Sequence, residues 1–160
     1  MRQVNIARTL LCTLLLLLAG CATLPETLVQ SPKVELRDVK VVGMGFKNQT
    51  FLLSFAAKNP NAFPLPVRGV SYGLKLDGQR FASGETMSNF TVPADGEADF
   101  AISVDLNLLQ TAPQLLSIVR DGAGRDIAYQ LDGQFAVDIP LVPAINYNNS
   151  GNIKIGGLSY

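Results

Sequence analysis

The stretch FLLSFAAKNPNAFPLPVRGVSYGLKLD, running from Phe51 to Asp77, decides the fold of this chain. It reads as strand, turn, strand. Phe51, Leu53, Phe55 and Ala57 alternate with Leu52, Ser54, Ala56 and Lys58, which sets a predominantly apolar row on one face of an extended segment. Asn59-Pro60-Asn61 stops it. Proline has no N–H to give to a sheet and disfavours helix at the residue before it, while asparagine bonds its own nearby backbone. Beyond Pro64 and Pro66 the alternation resumes, with Val70, Tyr72, Leu74 and Leu76 on one face and Gly69, Ser71, Gly73, Lys75 and Asp77 on the other. It ends at the hairpin signal Asp77-Gly78.

Working outward, Lys33 to Val42 is expected as the first strand. Val34 and Leu36 share one parity and Val39 and Val41 the other, a switch that predicts a bulge or an edge shared between sheets. Downstream, Gln79 to Ser83 and Phe90 to Val92 are expected as two short strands before a turn at Pro93 to Gly96. Ala98, Phe100, Ile102, Val104 and Leu106 then alternate with Glu97, Asp99, Ser103, Asp105 and Asn107, the pattern of a half-buried antiparallel strand. Between Leu109 and Gly122 the period changes to three and four, at Ala112, Leu115, Leu116 and Val119, which predicts one short helix. Ile127, Tyr129 and Leu131 followed by Phe135, Val137 and Ile139 read as a second hairpin, turned by Asp132-Gly133. Asn146 to Asn152 reads as a polar loop and Ile153 to Ile155 as the last strand. About seven short strands with frequent turn signals and one inserted helix predict an all-β sandwich.

The start of the chain predicts its address. Arg2 and Arg8 supply a positive front, and Leu10 to Leu18 is an apolar run too short for a permanent membrane span, which needs about 20 residues. Leu18-Ala19-Gly20-Cys21 resembles the lipobox of bacterial lipoproteins, in which the Cys becomes the lipid-bearing first residue. Residues 1–20 are therefore expected to be a signal peptide, 21–32 a lipidated tether and 33–157 the folded domain. By that resemblance Ala22, not being Asp, implies sorting to the outer membrane, with the domain facing the periplasm.

Composition excludes several classes of function. Two of the 13 basic residues, Arg2 and Arg8, would leave with the signal, so 11 remain against 13 acidic ones, and a phosphate-binding surface for nucleic acid is not expected. The chain has no His, and its two Cys residues are Cys12, within the signal, and Cys21, the lipid site. Imidazole bases, thiolate nucleophiles and the usual zinc ligand sets are thus missing; no catalytic residue, cofactor or metal site is expected. Asp95, Glu97, Asp99 and Asp105 are close in sequence, but three of them fall on the water side of one predicted strand and read as a solvated face. Gly122-Ala123-Gly124 follows the predicted helix instead of joining a strand to one, so it reads as a helix stop and not a phosphate loop.

Taken together, Asn59-Pro60-Asn61, the run Val70-Ser71-Tyr72-Gly73-Leu74-Lys75-Leu76-Asp77-Gly78, Ala82-Ser83-Gly84, and Tyr129-Gln130-Leu131 through Phe135 to Asp138-Ile139-Pro140 resemble the late embryogenesis abundant type 2 family. Its domain is also called WHy, for water stress and hypersensitive response. The resemblance covers about Val34 to Ile155. It implies an immunoglobulin- or fibronectin-III-like sandwich with one helix, no enzymatic activity, and an association with desiccation. Where this chain departs is its lipoprotein front end, which replaces the cytosolic or membrane-spanning starts of plant members.

Asn59, Pro60 and Asn61 form the turn motif of that family, read either as a structural turn or as a recognition loop. Three classes of function follow: a protective module at the membrane, a binding module for a lipid or an envelope protein, and an enzyme built on carboxylates alone. The lipid site is tested directly. Cys21→Ser is expected to leave an unacylated, poorly processed precursor, and metabolic acyl labelling equal to the parent's would remove the lipoprotein reading.

Overall fold

The alternating row Phe51, Leu53, Phe55 and Ala57 is buried along its whole length, as the inner face of a strand paired on both sides. The computed structural model describes residues 29–45, 48–107 and 125–154. Its elements are β1 (Lys33–Met44), β2 (Gln49–Lys58), β3 (Leu65–Leu76), β4 (Gln79–Val92), β5 (Glu97–Leu106), β6 (Ile127–Val137) and β7 (Ile145–Ile153). They form two antiparallel sheets, ordered β1-β2-β5 and β4-β3-β6-β7. Among the described residues there is no helix; the one expected between Leu109 and Gly122 lies outside them.

One core joins the sheets. Phe100 of β5 stacks on Phe55 of the neighbouring β2 at 5.0 Å and meets Phe90 and Phe135 of the other sheet at 4.9 and 5.8 Å, while Phe51 meets Phe81 edge-on at 5.2 Å. Burying such rings contributes both apolar area and edge-to-face geometry. The parity switch in β1 is a bulge. Leu36 pairs with Phe55 but Asp38 with Ser54, so Arg37 is the extra residue and Val34, Leu36 and Val39 all reach the core.

Three expectations need correction. Gln79 to Ser83 and Phe90 to Val92 are not separate strands: β4 runs unbroken alongside β3, its register adjusted by irregularities opposite Val67–Gly69 and Leu74–Lys75. Asp132-Gly133 is not a turn but the middle of β6. The reason is parity. A two-residue turn there would put Leu131 opposite Gln134 and send Phe135 and Val137 to the wrong face, whereas one straight strand keeps Ile127, Tyr129, Leu131, Phe135 and Val137 together in the core. Asn146 to Asn152 is not a loop; it lies within β7, which pairs with β6 from Ile145 to Ile153. Its polar composition survives because Asn146, Asn148 and Asn152 face water while Ile145, Tyr147 and Ile153 face inward. By contrast Asp77-Gly78 does turn the chain, with φ of 47° and 77° as a two-residue hairpin requires.

Glycine in the middle of β6 has a specific cause. On the four-stranded sheet Tyr72 lies opposite Gly84 on one side and Gly133 on the other, Tyr147 lies opposite Gly133, and Tyr129 lies opposite Gly151. Each glycine makes room for a ring from the next strand. A Cβ on Gly133 would stand 2.5 Å from the Tyr147 hydroxyl and collide with the Ser71 carbonyl; one on Gly151 would stand 2.9 Å from the Tyr129 ring. The Tyr147 hydroxyl in turn donates to the Ser71 carbonyl at 2.8 Å, and burial, with Asp132 and Tyr72 nearby, holds it well above the usual tyrosine range. Gly133→Ala is therefore expected to cost about 2–3 kcal/mol through overpacking. Gly78→Ala, which has open space around it, should cost only about 1 kcal/mol, from its positive φ. Urea unfolding of the two variants beside the parent reads the difference.

Candidate functional site

The end of the molecule from which β1 starts gathers residues 29–32, the β2–β3 connection 59–64, the β4–β5 turn 93–96 and the β6–β7 connection 138–144. Asn59 and Asn61 sit at its centre. Both are buried, at 0% and 4% exposure, although asparagine is ordinarily a surface residue. The Asn59 amide donates to the carbonyls of Phe63 at 2.7 Å and Pro93 at 3.0 Å, while its Oδ1 accepts from the Asn61 backbone N–H at 3.0 Å and from Asn61 Nδ2 at 2.8 Å. The i to i+2 bond among these is the Asx turn that asparagine favours. The others reach far along the chain.

Asn61 extends the network to the incoming chain. Its Oδ1 accepts from the Gln30 N–H at 2.7 Å and its Nδ2 donates to the Gln30 carbonyl at 2.9 Å, so the side-chain amide pairs with both backbone groups of one residue much as a neighbouring strand would. Backbone bonds complete the knot: Asn59 N–H to the Gly96 carbonyl at 2.8 Å and Asp95 N–H to the Asn61 carbonyl at 2.9 Å, with Asp95 at φ 48°. Pro60, between the two asparagines, is exposed. Little donor or acceptor capacity is left over for a ligand or for acid–base work.

The carboxylates named from the sequence stay apart. Glu97 pairs with Arg37 at 3.1 Å on the surface and Asp105 accepts from the Thr50 hydroxyl at 2.5 Å; among the described residues no three metal-ligating side chains gather. Exposed pairs of this kind contribute little stability. Cys21 and Gly122-Ala123-Gly124 lie outside the described residues.

Two features escape sequence reasoning. Beside the knot, Phe63 is 37% exposed, and Leu141 is fully exposed with φ 65°, a conformation that an ordinary L-residue adopts at a cost. The prolines beside them, Pro64, Pro140 and Pro143, were the available signal. The second feature is a furrow on the outer face of the four-stranded sheet. Gly69, Ser71 and Gly73 floor it, and side chains of β4 and β6 wall it, making two adjoining depressions of about 390 and 420 Å³ that share Ser71 and Glu85.

Comparison with known proteins places this geometry. Residues 54–158 match the family model LEA_2, described as late embryogenesis abundant protein. The chain is 30% identical over 138 residues to a "Desiccation protectant protein Lea14 homolog" of Glycine max, spanning 83% of this chain and 87% of the relative. It is 28% identical over 134 residues to a "Desiccation-related protein PCC27-45" of Craterostigma plantagineum, spanning 82% and 86%. In three dimensions it resembles a solution structure from Arabidopsis thaliana with a TM-score of 0.59 at 19% identity, over 88% of this chain and 93% of the other, a likeness of fold.

The asparagine knot makes a definite energetic prediction. Asn59→Ala would leave the Phe63 carbonyl and the Asn61 backbone N–H without their partners and the Pro93 carbonyl with the Gly96 N–H alone, at an expected cost of about 2–4 kcal/mol. Asn59→Asp, nearly identical in shape, should be at least as harmful, because it sets an acceptor against two carbonyl acceptors. Thermal or urea unfolding checks both; a neutral Asn59→Asp would show that packing, not hydrogen bonding, holds this position.

Proposed function

The chain belongs to the late embryogenesis abundant family LEA_2, and from that premise we propose that it is a non-enzymatic lipoprotein of the cell envelope that limits damage from water loss. The carrying observation is similarity over more than four-fifths of the chain to two plant proteins named for desiccation. In this reading the WHy domain is tethered through acylated Cys21 to the periplasmic face of the outer membrane. It works by contact with proteins or membrane and not by turnover, in keeping with a chain that has no His. Drying concentrates partly unfolded proteins and forces surfaces together, and a stable β-domain held beside the membrane shields exposed apolar patches at stoichiometric ratios.

The strand order favours an immunoglobulin-like sandwich as its framework, with β1, β2 and β5 in the places of strands A, B and E and β3, β6 and β7 in those of C, F and G. β4 then takes the place of the strand that extends the C edge. A second reading, a binding module for a lipid or an envelope protein, is favoured by the furrow over Gly69, Ser71 and Gly73.

A deletion strain dried or osmotically shocked beside its parent is expected to survive less well. The purified chain is also expected to preserve a drying-sensitive enzyme better than an equal mass of an unrelated β-sandwich. Equal survival across several drying regimes, with protection no better than the control protein, would remove the protective role and leave the binding module.

A further inference from the structure

We propose that the loop end bearing Phe63 and Leu141 is a membrane-apposed surface, lying against the bilayer into which the chain's own lipid inserts. The inference rests on the lipid anchor at Cys21 and adds an orientation to it. The chain enters the fold at this end and is fixed there: Val29 packs against the core and Gln30 is bonded on both its N–H and its carbonyl by Asn61. From Cys21 to Val29 the chain reaches at most about 26–29 Å even when fully extended. The anchor is therefore short, and the face it leads into is the one nearest the lipid.

That face has the chemistry of a bilayer contact. The segments 29–32, 59–64 and 139–144 contain no charged residue; the charges of the connecting segments at this end are Asp95, in the β4–β5 turn, and Asp138, at the close of β6, outside the two stretches that carry Phe63 and Leu141. Of the large exposed apolar side chains among the described residues, Phe63 and Leu141 are carried by these connections, and the loops that carry them are adjacent, because Val67 pairs with Val137 and the Asp138 N–H donates to the Pro66 carbonyl at 2.8 Å. Leu141 projects entirely into solvent from a backbone conformation that glycine would adopt without strain. Folding stability alone does not favour an exposed leucine there; contact with an apolar phase does. Pro60, Pro64, Pro140 and Pro143 stiffen the two loops, so little entropy is lost when they dock. Shallow insertion of one aromatic and one aliphatic side chain is weak beside the acyl chains, so it sets the orientation and the lipid supplies the affinity.

The chain has no tryptophan, which makes single-tryptophan reporters possible. Full-length Phe63→Trp, Leu141→Trp and, as the control, Val42→Trp, which is exposed on β1 near the other end, are expressed with lipidation and reconstituted in phosphatidylethanolamine–phosphatidylglycerol vesicles with brominated acyl chains. Mass spectrometry of Cys21 accompanies each sample. The expected result is acylated protein in which the reporters at 63 and 141 shift to the blue and are quenched several-fold while the one at 42 stays at its value in water. In the Phe63→Trp background, Leu141→Gly should raise the melting temperature yet weaken the quenching. Acylated protein with water-like emission at 63 and 141, or with equal quenching at 42, overturns the orientation and leaves the anchor standing. Absence of the acyl mass overturns the anchor, and the orientation with it. A blue shift without lipid, in a sample that sediments as a dimer, assigns this face to a second copy of the chain and overturns the bilayer as its occupant.

Discussion

Two buried asparagine side chains hold this molecule to one arrangement at the end where its chain enters. A buried amide must find partners or it costs stability, and Asn59 and Asn61 can satisfy themselves only if the β2–β3 connection, the β4–β5 turn and the residues before β1 come together. The requirement works in both directions. The carbonyls of Phe63, Pro93 and Gln30 lie outside the sheet ladders, and the asparagines take the place of the strand that would otherwise bond them. No cysteine occurs in residues 29–154, so the crossing from one sheet to the other is secured by hydrogen bonds and packing without a disulfide.

The same economy governs the sheets. Tyrosines 72, 129 and 147 fill space over glycines of neighbouring strands, and this lets β6 and β7 run through sequences that look like turns or loops. An aromatic ring over a cross-strand glycine restores the packing that the glycine lacks. On the far edge, Asn149 donates to the Val34 carbonyl at 2.9 Å, so a side chain of β7 covers part of the open edge of β1. The two sheets are thus tied at that edge by the core and a polar bond together.

Much of this was legible in the sequence. Wherever burial on one face sets the period, as in β2 and β5, alternation alone located the strand and its inner row, and the change of parity between Leu36 and Val39 located a bulge. Reading failed where a local signal and a tertiary one disagreed. Asp132-Gly133 has the composition of a hairpin turn, yet the odd-numbered apolar residues continue through it without a change of phase, and the phase was the better guide. Asn146 to Asn152 lacks apolar residues apart from Tyr147, and only pairing with β6 makes it a strand. At Asn59 and Asn61 the turn was legible but its reach was not, because nothing in the local sequence indicates Gln30, Pro93 or Gly96 as partners. Leu141 was hidden for a related reason: its exposure and positive φ are properties of the folded backbone.

In the proposed function, rigidity at one end of the molecule is what protection by contact draws on. A fixed entry segment and the proline-stiffened connections 59–64 and 139–144 would give a domain anchored as proposed a defined posture, which a contact-based protectant needs more than an active site. The direct measurement is native-state hydrogen exchange at the backbone amides of Gln30, Asn61 and Asp95, which lie outside every strand. The account predicts protection of the same order as the core amides of β2 and β3, lost together when the knot opens. Exchange at the rate of an unprotected loop, with the strands still protected, would contradict it.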